Sequence, residues 1–378
     1  MDSKWTAIWG CAASRVEGIP ENYAKNITLR YTIRSVFNGS ALRLHFSNFC
    51  SHESVTISKV YVAPEINRGE VDNTKCVRVT FGGKDEAIME AGGGIVSDSI
   101  PFEVHKNENV CISMYFNDFT EMATGSVFSH REKYMYALGD YASDSVLPIN
   151  KSREISRVYF LETVDVFTEP KNHAVIAYGD SITALQWPDF LADRALENET
   201  DCSIIRRAVS GSRILRQYDC LEYMAYGLSG FNRFKREIEA DGAKAVIVLH
   251  GINDLIHPDG INPFRPMSDF PTAEELIDGL RFYILEAHKK GLKIYLATIM
   301  PIEGWRTYET FRNDVRIKVN EWIRTTNEID GVVDFDKALR DTKNPNALLS
   351  AYDSSDHLHP SEEGSKRIAE EVNIEILK

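Results

Sequence analysis

Ser181 lies in Ala177-Tyr178-Gly179-Asp180-Ser181-Ile182-Thr183, directly after a short apolar run. A hydroxyl where a buried strand gives way to a turn is well placed for an exposed nucleophile. Far downstream, Asp356-His357-Leu358-His359-Pro360 gathers a carboxylate and two imidazoles. Asp356 and His359 are three residues apart, so one turn of irregular or 3₁₀ backbone can bring the carboxylate to the ring. There it would fix the tautomer and stabilise the imidazolium formed when Ser181 loses its proton. His357 competes for the base role by its place in the sequence. Gly179-Asp180-Ser181 alone is weak, because Gly and Asp are ordinary turn residues. It gains meaning from the downstream pair.

Attack on an acyl carbonyl also needs donors around the oxygen that becomes negative. His250-Gly251-Ile252-Asn253-Asp254 follows a second apolar run, and the Asn253 amide can donate. Val209-Ser210-Gly211-Ser212 follows the strand-like Ser203 to Ile205, and the Gly211 N–H is a second donor. Each segment alone reads as a strand-to-helix turn. Together they place several chemically useful turns at one edge of a sheet.

The elements that must hold these turns are legible in the second half. Val175 to Tyr178, Ala245 to Leu249, Lys293 to Thr298 and Gly331 to Phe335 are short apolar runs of strand type. Pro188 to Leu196, Phe231 to Ala240, Ala273 to Lys290 and Phe311 to Thr325 read as helices between them, and Ser361 as the N-cap of a last helix. Alternation of this kind predicts a parallel α/β sheet with helices on both faces. Active residues then gather beyond the C-terminal ends of the strands. The first half differs. Ile27 to Arg34 and Ala41 to Phe46 alternate apolar and polar residues. Val55 to Val62, Lys75 to Phe81, Ile100 to Val104, Val110 to Phe116 and Ser156 to Val166 are further strand candidates. Frequent turns between them predict a β-sandwich, and Asn38-Gly39 signals a hairpin. The change of character near Thr168 sets the expected domains at 1–167 and 168–378.

The whole chain bounds the partners. Its 378 residues favour more than one domain. A formal net charge of -13 argues against a protein built to hold nucleic-acid phosphates. No apolar run reaches the roughly 18 residues of a membrane span, and the start lacks a basic segment followed by an apolar core. The simplest expectation is a cytoplasmic protein with no membrane partner. The six cysteines are widely spaced, which disfavours a tight Cys-type zinc site and fits thiols in a reducing compartment.

These blocks carry a resemblance to the SGNH hydrolases, also called the GDSL esterase/lipase superfamily. The serine block matches at Gly179-Asp180-Ser181, the glycine block at Ser210-Gly211-Ser212 and the asparagine block at Gly251-Ile252-Asn253-Asp254. The last block matches at Asp356-His357-Leu358-His359-Pro360. The resemblance implies Ser181 as nucleophile, His359 as base and Asp356 as the acid that orients it. It implies an oxyanion hole from the Ser181 and Gly211 N–H groups and the Asn253 amide, and no metal or organic cofactor. Where many relatives carry Asn-Ala-Gly before the glycine block, this chain reads Arg206-Arg207-Ala208-Val209. Further stretches, among them Ala273 to Ile277, Ala287 to Lys293 and Val79 to Gly83, resemble a bacterial two-domain subgroup with an N-terminal β domain. The fold so implied is a three-layer α/β/α domain preceded by a β-sandwich of jelly-roll type.

The expected function is hydrolysis of a carboxylic ester through an acyl-enzyme. The favoured substrate is an acetylated sugar or oligosaccharide, with Trp305 and Tyr308 on a loop that could stack on a sugar face. A general short-chain esterase or acylhydrolase is the nearest alternative. A carbohydrate-binding protein with a vestigial hydrolase domain is a reading from another class. The β domain could bind sugar, support the enzyme or join copies into a homo-oligomer; the sequence leaves that choice open.

Overall fold

A computed structural model describes residues 3–16, 23–129 and 131–378. The chain divides into two compact units, Met1–His173 and Ala174–Lys378.

The first unit is built on two antiparallel sheets. One contains Lys4–Gly10, Leu161–Thr168 and Gly39–Ser47, with Gly94–Val96 and Ile100–Val104 both paired to Gly39–Ser47. The other centres on Ile27–Arg34 and Asn109–Phe116, flanked by Tyr134–Leu138 and Lys59–Asn67. Apolar rings join the sheets. The Trp9 indole N–H donates to the Tyr134 hydroxyl at 3.2 Å, and the Phe116 and Phe160 ring centroids lie 5.2 Å apart.

Several expectations need correction here. Of Lys75 to Phe81 only Val77–Arg78 is strand, after a 3₁₀ turn at Asn73–Lys75, and Ser156 to Val166 breaks at Phe160, whose φ is 64°, into Arg157–Tyr159 and Leu161–Thr168. Asn38-Gly39 does not close a hairpin, because Ile27–Arg34 and Gly39–Ser47 belong to different sheets. Gly39 is required by crowding rather than by a turn: a Cβ there would lie 2.2 Å from Val166 and 2.9 Å from the Phe167 carbonyl. Val55 to Val62 is also not one strand. It breaks at Ser58 into Val55–Ile57 and Lys59–Asn67, which pair with different neighbours. The alternation of Ile27–Arg34 suggests one wet face, yet nearly all of it is buried. The polar face is covered by other chain segments, and Arg30 serves them. Its guanidinium donates to the carbonyls of Gly69, Ser145, Tyr141 and Asp144 and to the Ser113 hydroxyl.

In the second unit we number the strands β1 (His173–Gly179), β2 (Cys202–Ala208), β3 (Ala243–Leu249), β4 (Lys293–Ala297) and β5 (Gly331–Val333). The helices are α1 (Ser181–Ala184), α2 (Trp187–Glu197), α3 (Gly230–Glu237), α4 (Ile252–Ile256), α5 (Ala273–Lys289), α6 (Thr310–Thr325), α7 (Phe335–Leu339) and α8 (Glu362–Glu371). The sheet order is β2-β1-β3-β4-β5, with β1, β3, β4 and β5 pairing in parallel. All of β1 is buried, as a strand covered on both faces must be. Helices α2, α7 and α8 pack as one group and α3, α5 and α6 as another, giving the α/β/α layers. The expected strand Gly331 to Phe335 is shorter than the sequence suggests. Asp334 accepts from the Lys337 N–H and so caps α7 from Phe335 onward. Thr272 and Glu275 form a capping box on α5, and Ser361 caps α8 by accepting from the Gly364 N–H at 3.1 Å.

Candidate active site

Ser181 is the first residue of α1, at the C-terminal end of β1. Asp180 is the N-cap of α1 and accepts from the Ile182 N–H at 3.1 Å. The Ser181 Oγ lies 2.8 Å from His359 Nε2. On the other side of the ring, Nδ1 lies 2.6 Å from Asp356 Oδ2. An ionised carboxylate only accepts hydrogen bonds, so Nδ1 carries the proton and Nε2 offers its lone pair to Ser181.

The loop before α8 explains how residues three apart make this pair. Asp356 Oδ1 accepts from the Leu358 N–H at 3.0 Å and the His359 N–H at 2.8 Å. Its carboxylate is thus bound at one oxygen by its own turn and at the other by the ring. Burial pushes the Asp356 carboxyl up, but the bonds from the His359 ring and from these two N–H groups outweigh it. The net effect holds it below the usual carboxylate range, so it stays ionised at neutral pH. His357 does not reach Ser181's partner position. Its Nδ1 sits 2.6 Å from Asp353 Oδ2, and its backbone takes a positive φ of 65°. The loop therefore contains two separate histidine–carboxylate pairs, of which one faces the serine.

The Gly211 and Asn253 segments are linked to the Ser181 turn and to each other. Gly211 has φ 79°, and a Cβ there would sit 2.2 Å from the Tyr226 ring, so both backbone and packing require glycine. The Val209 N–H donates to the Gly179 carbonyl at 3.2 Å, tying this loop to the Ser181 turn. Asn253 is buried on α4 and uses one N–H of its amide to hold the Ser212 carbonyl at 3.0 Å. Its amide nitrogen has a second N–H.

Several residues that set this geometry were not singled out from the sequence. Asp254 accepts from the Ile214 and Leu215 N–H groups at 2.7 and 3.1 Å, so it fixes the chain beyond Gly211. Burial pushes its carboxyl up to about 6. Burial likewise pushes Asp180 up to about 7, against the opposing bond from the Ile182 N–H and the charge of His359. His250 forms a second serine–histidine contact, with Nε2 3.1 Å from Ser212 Oγ. Its other nitrogen meets the Tyr283 hydroxyl at 2.8 Å rather than a carboxylate. Burial and then the Arg233 charge hold its pKa well below the usual histidine range, so the ring is neutral. Asp180, His250 and Asp254 stand inside the motif blocks, but nothing in the sequence pointed to these partners.

Trp305 comes close to the group: its ring centroid is 6.4 Å from that of His359, nearly perpendicular at 82°. The Tyr308 hydroxyl donates to Glu303 Oε2 at 3.4 Å. Among the described residues, no helix is long and apolar enough to cross a membrane.

The family model described as GDSL-like Lipase/Acylhydrolase matches residues 175–372. No curated protein matches the chain. Solved structures do. A GDSL-like lipase from Bacteroides thetaiotaomicron is 16% identical, with 54% of this chain and 87% of that chain covered at a TM-score of 0.39. A variant of an acetyl xylan esterase from Geobacillus stearothermophilus is 20% identical, with 54% and 94% covered at a TM-score of 0.40.

Proposed function

The chain belongs to the GDSL-like lipase/acylhydrolase family, and on that premise we propose that Ser181, His359 and Asp356 hydrolyse a carboxylic ester through an acyl-enzyme. The observation that carries this reading is the unbroken chain from Ser181 Oγ to His359 Nε2 at 2.8 Å and from Nδ1 to Asp356 at 2.6 Å.

His359 Nε2 takes the proton as Ser181 Oγ attacks the acyl carbon. The carbonyl oxygen becomes negative between the Ser181 N–H, the Gly211 N–H and the second N–H of Asn253. The Ser181 N–H is open to it, because the first N–H groups of a helix have no partner within that helix. The imidazolium then gives its proton to the departing alcohol oxygen, and the acyl group stays on Ser181. Water repeats the sequence: it loses a proton to Nε2, attacks the acyl-enzyme and releases the carboxylic acid and free serine. Asp356 holds the ring throughout and stabilises its charged form.

The substrate we favour is an acetylated sugar or oligosaccharide. Trp305 supports it, since an aromatic ring beside His359 offers a surface for a sugar ring. The second reading, a general short-chain ester, needs only the chain from Ser181 to His359 and Asp356 and no sugar surface. Acetate release from acetylated xylooligosaccharides, measured beside p-nitrophenyl acetate and p-nitrophenyl palmitate, separates them. The sugar reading expects the highest kcat/KM on the oligosaccharide. A preference for palmitate overturns both. For the nucleophile itself, reaction with a fluorophosphonate followed by peptide mapping should place one adduct on Ser181, and an adduct elsewhere would refute the assignment.

A further inference from the structure

The Ser181 turn, the Gly211 loop and the Asn253 segment follow three different strands, β1, β2 and β3, yet the reaction needs them aligned to a fraction of an ångström. One buried side chain touches two of them directly. Arg233, one turn into α3, is 2% exposed. Its Nη2 donates to the Gly179 carbonyl at 2.7 Å and to Ser212 Oγ at 3.0 Å. Gly179 is two residues before the nucleophile, and Ser212 directly follows the oxyanion glycine. Ser212 also meets the third loop: its carbonyl accepts from Asn253 Nδ2 at 3.0 Å and its Oγ lies 3.1 Å from His250 Nε2. The guanidinium lies over the Tyr178 ring, 4.3 Å from its centroid. Nη1 pairs with Glu237, one turn further along α3. The start of α3 is itself fastened to the oxyanion loop, with the Gly230 N–H donating to the Arg213 carbonyl at 2.8 Å.

A buried ion pair is a weak source of stability, since hydrophobic side chains of similar volume often serve as well. What this pair supplies is direction. The planar fork of an arginine can face a carbonyl, a hydroxyl and a carboxylate in one fixed plane, which a lysine cannot. We propose that Arg233 is a positioning residue that sets the nucleophile turn against the oxyanion loop, acting through Gly179 and Ser212 without touching the substrate. This inference rests on Ser181 being the nucleophile.

The test is hydrolysis of p-nitrophenyl acetate by the full chain, with rates corrected for the folded fraction from far-UV circular dichroism. Arg233→Lys keeps the charge and loses the fork. Its kcat should fall on the order of 10- to 100-fold with KM within about twofold. Ser212→Ala should lower kcat through the same link, so R233K with S212A should be no slower than R233K alone. Arg233→Met with Glu237→Met removes the buried pair together; Arg236, which also faces Glu237 at 3.6 Å, is 31% exposed and can turn to water, so the variant should fold, with kcat as low as in R233K. The proposal is overturned if R233K or the Met pair turns over like the wild type, or if the R233K and S212A losses multiply. Ser181→Ala run alongside keeps the readings apart. If it is inactive while R233K is unchanged, only the Arg233 role fails; if it stays active, the nucleophile assignment fails first.

Discussion

Asn253 shows how one side chain serves structure and chemistry together. One amide N–H holds the Ser212 carbonyl, and the other is proposed for the oxyanion. Asn253→Ala should lower kcat by about 10²–10³, or ~2.7–4 kcal/mol, with KM changing little. Steady-state kinetics on p-nitrophenyl acetate would show it, and an unchanged kcat would remove Asn253 from the oxyanion hole. Asp180 makes a prediction about stability. Its folded pKa, about 7, is raised above the unfolded value near 3.8. Between these values the folded state holds the proton more often than the unfolded state, so this group's contribution falls as pH rises and the penalty is complete above about pH 7. Asp180→Asn can still cap α1 and carries no charge. Its melting temperature should therefore gain on the wild type as pH rises from about 4 to 7. A difference that is flat with pH would mean the buried carboxyl does not titrate this way. The candidate blocks could be proposed at this scale because serine, asparagine, aspartate and histidine would act through their own side-chain chemistry. Arg233 and Asp254 could not, because their partners are backbone carbonyls and N–H groups that only the fold assembles.

At the scale of elements, the loops at the ends of β1, β2 and β3 are fixed by backbone shape as much as by side chains. Gly211 combines a positive φ with contact against Tyr226. Gly211→Ala should cost roughly 1–3 kcal/mol of stability from backbone strain alone and lower kcat by misplacing the N–H. Tyr226→Ala loses the ring's own stacking on Tyr223 and His257, but it should cost less in the Gly211→Ala background than in the wild type; equal costs in urea unfolding would mean the ring is not the obstacle. The helices and strands of the second unit follow their apolar runs and caps closely, as at Thr272, Asp334 and Ser361. Asn38-Gly39 misled because a local turn signal says nothing about which sheet each flanking strand joins. Register is decided by distant partners, here Leu161–Thr168 for one strand and Asn109–Phe116 for the other.

For the whole molecule, each unit has its own buried polar anchor. Arg30 in the first unit satisfies four carbonyls and a hydroxyl. Arg30→Met would leave those acceptors buried without donors and should cost about 3 kcal/mol or more, read as a lower urea midpoint; an unchanged midpoint would mean water replaces it freely. The change from period-2 alternation to strand–helix alternation made the two-part character visible in the sequence. Alternation alone could not reveal that Ile27–Arg34 is covered on its polar face, since the covering segments are far away in the chain. Every proposed step passes through one hydroxyl. Initial rates of p-nitrophenyl acetate hydrolysis by the purified full chain and its Ser181→Ala variant test it most directly. Turnover by the wild type and a loss on the order of 10⁴-fold or more in the variant is the expected result, and a Ser181→Ala protein that hydrolyses the ester at the wild-type rate would contradict it.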